Sequence, residues 1–250
     1  MARPIWLIGG TSDSRWLATH LLAAGYPCWV TVTTPDACSL YPNDPRLTCH
    51  VERLTAASAR QWVQQQQIQA ILDASHPFAA EISTLAIGLS QELQLPYLRF
   101  ERPDYSPTTD RCLDLATLLH SQCLVGERVL LTIGTKYLSA FAPLQQQATL
   151  FARILPTPAA LEAALAAGFA RQRLVALFPP VTRELERALW QQWQITTVVT
   201  KASGTASEQL KQELAQELGV QLITLQRPQI PYPHVTRNWA GVAAFLAQLA

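Results

Sequence analysis

The sequence predicts an α/β protein made of two doubly wound, Rossmann-like parallel-sheet domains with a cleft between them. Three observations carry this. Short apolar runs bounded by Gly, Pro or Asp alternate with longer segments of helical periodicity, the pattern of repeated βα units. A polar, proline-bearing stretch from Asp104 to Asp110 reads as a linker and leaves about five such units on either side. The 250 residues suit two compact domains, so the boundary is placed between residues 104 and 105.

In the first half, strands are read at Pro4 to Ile8, Tyr26 to Val32, Leu47 to Val51, Ala70 to Asp73 and Tyr97 to Phe100, because each is a brief apolar run stopped by a turn former. Helical spacing fills the gaps at Ser12 to Ala24, with Gly25 as its stop, at Ala56 to Gln66 and at Ala79 to Gln94. The second half repeats the alternation. Its strands are Arg128 to Thr132, Thr149 to Ile154, Leu174 to Leu177, Thr196 to Thr200 and Gln221 to Leu225, with helices at Thr157 to Ala167, Thr182 to Trp193 and Thr205 to Leu218. An apolar helix at Trp239 to Leu249 suits either domain.

Composition excludes several classes. Apolar residues make up 49%, charged residues 15% and the net charge is +1, which argues against disorder and against a nucleic-acid partner. No run reaches membrane-spanning length, and the first apolar run is too short for a signal peptide, so a cytoplasmic protein is expected. Cys28, Cys38, Cys49, Cys112 and Cys123 form no CxxC and lie near no His at ligand spacing. They read as reduced, buried apolar side chains, and no metal site is expected. The oligomeric expectation is a monomer or a weak homo-oligomer.

Two turns carry chemistry. The first, Gly9-Gly10-Thr11-Ser12-Asp13-Ser14-Arg15, leaves an apolar strand and enters a helix. Glycines there let the backbone approach a pyrophosphate, whose charge suits the helix N-terminus, with Thr11 and Ser12 as hydroxyl donors. The full GxGxxG pattern is absent, and a tight turn capped by Ser12 or Asp13 is the structural alternative. The second strand ends in Thr31-Val32-Thr33-Thr34 without the carboxylate that usually holds a ribose 2′-hydroxyl, which favours NADPH over NADH, although Asp36 is close by. The second turn, Asp73-Ala74-Ser75-His76-Pro77-Phe78-Ala79-Ala80, follows the fourth strand, where parallel sheets place ligands. His76 there suits cofactor orientation, substrate contact or proton donation. Its alternative is a satisfied turn histidine after a helix-capping Asp73.

The two turns together resemble those of the precorrin-6A and cobalt-precorrin-6A reductases. The first is similar to their G-G/T-T-x-E/D-x-R loop, and the second to their D-A-T-H-P-F-A signature, with Ser75 for Thr. In order along the chain, Leu98 to Pro103 resembles the family's L-R-x-E-R-P, Leu131 to Lys136 its L-T-x-G segment, Thr200 to Gly204 its T-K-x-S-G, and Gln226-Arg227-Pro228 its late R-P. Leu177-Phe178-Pro179-Pro180 departs from an expected G-P-F turn, and no role is assigned there.

The resemblance implies hydride transfer from a reduced nicotinamide to carbon 19 of a corrin precursor and protonation at carbon 18. It implies cofactor contacts at Gly9, Gly10, Thr11, Ser12, Asp13, Arg15, Thr33, Ser75, His76 and Pro77, with His76 as the candidate proton donor. A macrocycle fringed with carboxylates calls for dispersed cations and amides. Arg99, Arg102, Lys136, Lys201, Ser203, Gly204 and Arg227, at or near strand ends, are the expected donors. Residues 1–104 would then bind the dinucleotide and residues 105–250 contribute to the macrocycle cleft. Two other readings stay open: a uroporphyrinogen III synthase-like enzyme, and a non-catalytic NADP-binding sensor.

Overall fold

The computed structural model describes residues 3–102 and 112–249; the linker read at Asp104 to Asp110 lies outside them. The chain divides into one unit of Met1–Pro103 with Pro228–Ala250 and a second of Asp104–Arg227. In chain order the first unit holds β1 (Ile5–Ile8), α1 (Ser12–Ala23), β2 (Cys28–Val32), β3 (Leu47–Val51), α2 (Ala56–Gln65), β4 (Ala70–Asp73), α3 (Ala80–Glu92) and β5 (Tyr97–Phe100). The second holds β6 (Cys112–Leu113), α4 (Leu115–His120), β7 (Arg128–Leu131), β8 (Thr149–Ile154), α5 (Pro158–Ala166), β9 (Leu174–Ala176), α6 (Arg183–Gln192), β10 (Thr197–Lys201), α7 (Ala206–Leu218) and β11 (Gln221–Leu225). β12 (Val235–Thr236) and α8 (Trp239–Ala247) then complete the first unit.

Each unit carries one six-stranded sheet, ordered β12-β5-β4-β1-β2-β3 in the first and β6-β11-β10-β7-β8-β9 in the second. Among the described residues every pairing is parallel. Each sheet therefore reverses its winding once, between β1 and β4 in the first unit and between β7 and β10 in the second. Those reversals open crevices at the carboxyl ends of the strands. The two orders match, and in each the sixth position is filled by a two-residue strand. β12 pairs with β5 through Val235 and Thr236, although it follows the second unit in sequence.

The break after Pro103 lies beside the expected boundary at residue 104/105; residues 228–238, expected with the second half, belong with the first unit, and the C-terminal helix, which suits either domain, packs there too. Once β12 has paired with β5, α8 buries Val242, Phe245 and Leu246 in one cluster with Ile5, Leu7, Leu17 and Leu21. Asn238 caps α8 by accepting the Gly241 N–H at 2.9 Å. Gly241 is required there: a Cβ would lie 2.0 Å from Thr236 Oγ1 and 2.7 Å from Thr236 Cβ. Alanine ordinarily strengthens a helix by up to about 1 kcal/mol over glycine. At this position Gly241→Ala is expected to lower stability by about 1–3 kcal/mol through overpacking, read as a lower denaturant midpoint at constant slope.

Thr11 and Thr55 cap α1 and α2 in reciprocal boxes with Ser14 and Ser58. The cap of α1 is thus Thr11, rather than Ser12 or Asp13. Gly25 follows that helix at φ +86°. Between β2 and β3 the crossover is a short 3-10 helix, Pro35–Leu40. It brings Cys38 against the middle of β3, where it is bonded to Cys49 with the Cα atoms 5.9 Å apart. Cys28, Cys112 and Cys123 lie outside this disulfide; Cys38 and Cys49 depart from the expected reduced state. Among the described residues no helix is long and apolar enough to cross a membrane, and no cluster of His, Cys, Asp and Glu could hold a metal.

Candidate active site

The first crevice is framed by the turns after β1 and β4. Gly9 donates to Thr31 O at 3.0 Å and Ala74 to Ile8 O at 3.1 Å, continuing the sheet into both turns. Thr11 Oγ1 donates to Ala74 O at 2.8 Å and joins them. Gly10 sits at φ +90° with open space where a Cβ would be, as a backbone approached by a ligand requires. Gly9 has a different reason: its Cβ would lie 2.3 Å from Tyr41 Oη and 2.6 Å from Val30 Cγ1. The first turn of α1 leaves the amides of Ser12 and Asp13 without intrahelical acceptors. Ser12 and Arg15 are exposed on that turn, and Thr33 is exposed beyond β2.

Arg102, expected among the macrocycle donors, lies beside this helix start, its Nε donating to Asp13 Oδ2 at 2.6 Å. The guanidinium offsets the Asp13 charge, so the helix N-terminus keeps its attraction for a phosphate.

Under the second turn lies a buried polar network. Asp73, 0% exposed, is not a helix cap. Its Oδ1 accepts from Arg99 Nη1 at 2.8 Å and from the Ser75 amide at 3.0 Å; its Oδ2 accepts from Ser83 Oγ at 2.6 Å and Tyr97 Oη at 2.8 Å. Arg99 is 1% exposed, also donates to Ser75 Oγ at 3.0 Å and Glu101 Oε2 at 2.8 Å, and stacks over the Tyr232 ring. Burial and the adjacent Asp73 carboxylate raise the Tyr97 pKa, so that phenol stays protonated and donating. Its place near a strand end predicts a substrate donor, but Arg99 anchors the turn from beneath. Asp73 and Arg99 are register neighbours on β4 and β5, which is why the pair forms.

The network presents Ser75, His76 and Pro77 at the crevice. His76 is half-buried, and its Nδ1 accepts the Phe78 N–H at 3.2 Å. When neutral, the ring therefore carries its proton on Nε2. Ser75 and Pro77 are buried beside it.

The second unit has an equivalent crevice between β7 and β10. Gly134, at φ +79°, turns the chain into a 3-10 helix, Thr135–Gln146, with Lys136 exposed on its first turn. Lys201 ends β10 with Nζ 4.8 Å from the centre of the Tyr137 ring and 3.7 Å from where a Gly134 Cβ would stand. Burial, reinforced by Lys136, lowers the Lys201 pKa to about 8.

Ser203 and Gly204 do precede a helix, but the anion there is the chain's own. Glu208 Oε2 accepts from the Gly204 amide at 2.8 Å and from Ser203 Oγ at 3.3 Å. Thr205-Ala206-Ser207-Glu208 has the spacing of a capping box, but Thr205 makes no side-chain cap bond and Glu208 accepts from Gly204, one residue before the N-cap. This corrects the reading of Ser203 and Gly204 as open macrocycle donors. Arg227 turns its Nε to Ala202 O at 2.8 Å and supports the same turn. No sequence signal assigns a site role to Tyr41, Tyr97, Tyr137 or Glu208, and Asp73 and Glu101 enter the expectation only as members of the quoted motifs.

Against this geometry, the family model for the precorrin-6x reductases CbiJ/CobK matches residues 4–247. The chain belongs to this family. It is 48% identical over 247 residues to a cobalt-precorrin-6A reductase of Synechocystis, covering 96% of this chain and 95% of the relative. A cobalt-precorrin-6A reductase of Priestia megaterium is 36% identical, with 95% and 96% covered. A precorrin-6A reductase of Rhodococcus erythropolis is 30% identical, with 97% and 96% covered. The fold is also that of the solved CobK precorrin-6A reductase, at a TM-score of 0.79 and 23% identity over 100% of this chain and 98% of that one.

As a precorrin-6x reductase the chain reduces a carbon–carbon double bond of a tetrapyrrole in cobalamin biosynthesis, a reaction that draws on a nicotinamide cofactor. Membership sets aside the synthase-like and sensor readings.

Proposed function

We propose that this reductase binds NADPH at the turn Gly9 to Arg15 and acts on cobalt-precorrin-6A. The observation that carries the first part is the turn itself: Gly10 open at φ +90°, two helix-start amides, and an Asp13 charge offset by Arg102, all at the sheet's winding reversal. Arg15 and Thr33 are exposed beside it, a cation and a hydroxyl suited to a 2′-phosphate, with no carboxylate at the end of β2. The cobalt form is favoured by relatedness, since the relatives at 48% and 36% identity bear that name and those at 30–31% are called precorrin-6A reductases.

When bound, reduced nicotinamide supplies the hydride. The chain's residues position and protect. Thr11 locks the two turns together, the Asp73–Arg99 network keeps the His76 loop in place, and His76 is the candidate for proton delivery or substrate contact. Lys136 and Lys201 offer cations to the carboxylates of the macrocycle.

Because the Lys201 pKa lies near 8 against an ordinary 10.5, its charge is present at pH 7 and is lost as pH rises through about 8. Its stability contribution has the opposite sense: the folded state is penalised below pH 8, and that penalty is relieved between pH 8 and 10.5. KM for the macrocycle is therefore expected to rise between pH 7 and 9 while NADPH affinity stays level. Lys201→Arg, which does not titrate there, should flatten the profile; an unchanged profile removes Lys201 from substrate binding. Comparing turnover of cobalt-precorrin-6A with the metal-free macrocycle tests the substrate assignment, and preference for the metal-free ring contradicts it.

A further inference from the structure

The residue that shapes the glycine turn comes from outside it. Tyr41 follows the 3-10 crossover and is 9% exposed. Its hydroxyl accepts the Gly10 N–H at 2.7 Å and lies 2.7 Å from Ser14 Oγ. Ser14 Oγ already donates to Thr11 O at 2.8 Å, so its one proton is used and the Tyr41 proton goes to Ser14. Burial raises the Tyr41 pKa and keeps that proton in place. The phenol also fills the space a Cβ on Gly9 would need. Gly9, Gly10, Thr11 and Ser14 are thus fixed around one hydroxyl group.

Tyr41 is in turn held by the crossover. Its amide donates to Cys38 O at 3.1 Å, and Cys38 is bonded to Cys49 on β3. Both cysteines are half-buried. The crossover has no α-helix to anchor it, so this bond is the covalent tie between the Tyr41 segment and the sheet.

We infer that Tyr41 is a positioning residue for the dinucleotide turn, and that the Cys38–Cys49 bond, by holding Tyr41, makes cofactor affinity depend on redox state. The inference rests on the dinucleotide lying at Gly9 to Arg15. The switching reagent is a dithiol: its thiolate attacks one sulfur, a mixed disulfide forms, and its second thiol closes the reagent's own disulfide. Two electrons and two protons pass to Cys38 and Cys49, leaving two thiols and a released crossover.

The test is a titration with NADPH, followed by nicotinamide fluorescence, of the full chain before and after dithiothreitol, beside Tyr41→Phe in both states. Thiol counting should give three free groups of the five cysteines before reduction and five after. Reduction of the wild type should weaken NADPH about five- to ten-fold, the scale of one or two lost hydrogen bonds. Oxidised Tyr41→Phe should already be weakened to that extent, and reduction should change it less than two-fold. The effect should fall on KM for NADPH and not on KM for the macrocycle, which a general loss of structure would not separate.

Five free thiols in the untreated protein, equal weakening of both proteins on reduction, or wild-type affinity in Tyr41→Phe would each overturn the inference. Ser12→Glu separates this from failure of the underlying reading. If that variant binds NADPH as well as the wild type, the dinucleotide lies elsewhere and the reading falls with the inference. If it loses NADPH while Tyr41→Phe and reduction change nothing, only the inference falls.

Discussion

Replacing Arg99 by methionine is expected to lower stability by about 3–5 kcal/mol, the usual penalty for leaving a buried charge without its partner. Asp73 is 0% exposed, and its other donors, Tyr97, Ser83 and the Ser75 amide, carry no charge. A domain's whole stability is about 5–15 kcal/mol, so the denaturant midpoint should fall sharply with an unaltered slope. Adding Asp73→Asn should recover part of the loss, because the orphaned charge is then gone and the two sites are coupled. A change below 1 kcal/mol would mean that water, not Arg99, satisfies Asp73.

Ser12→Glu is expected to weaken NADPH about 100-fold. Two unit charges about 4 Å apart interact by about 4 kcal/mol at an effective dielectric near 20, and solvent screening at an exposed turn reduces this. The same substitution puts an acidic side chain in the first turn of α1, where it favours the helix by about 0.3–1 kcal/mol. Binding should therefore fall while the thermal midpoint holds or rises. This opposition distinguishes repulsion of a pyrophosphate from damage to the fold. Ser12→Ala, which removes only a hydroxyl, should weaken NADPH by less than ten-fold.

Much of the architecture was legible because its signals are local. Leu47–Val51, Ala70–Asp73, Tyr97–Phe100, Thr149–Ile154 and Gln221–Leu225 fall where short apolar runs meet turn formers. The two-residue strands β6 and β12 were not foreseen, since two residues have no periodicity and their pairing is set by the neighbouring sheet edge. Without β12 nothing in the sequence ties residues 228–238 to the first unit. The Cys38–Cys49 bond depends on how a 3-10 crossover lies against β3, which spacing does not reveal.

The candidate site divides in the same way between local and long-range signals. The glycine turn and the His76 loop are contiguous motifs and could be read directly. Tyr41 could not, because its contact with Gly10 spans 31 residues. Arg99 had a readable signal: an Arg inside the apolar run Tyr97–Phe100, beside an Asp ending Ala70–Asp73, pairs on adjacent parallel strands. The Glu208 bond to the Gly204 amide has no such signal, since capping-box spacing would direct that carboxylate to Thr205.

The most direct test of the central claim is single-turnover oxidation of NADPH on mixing the purified enzyme with cobalt-precorrin-6A. The nicotinamide absorbance should decay only when the macrocycle is present, one cofactor oxidised per ring reduced, and Ser12→Glu should suppress the decay at the same cofactor concentration. Absorbance that stays constant with the macrocycle bound would contradict it.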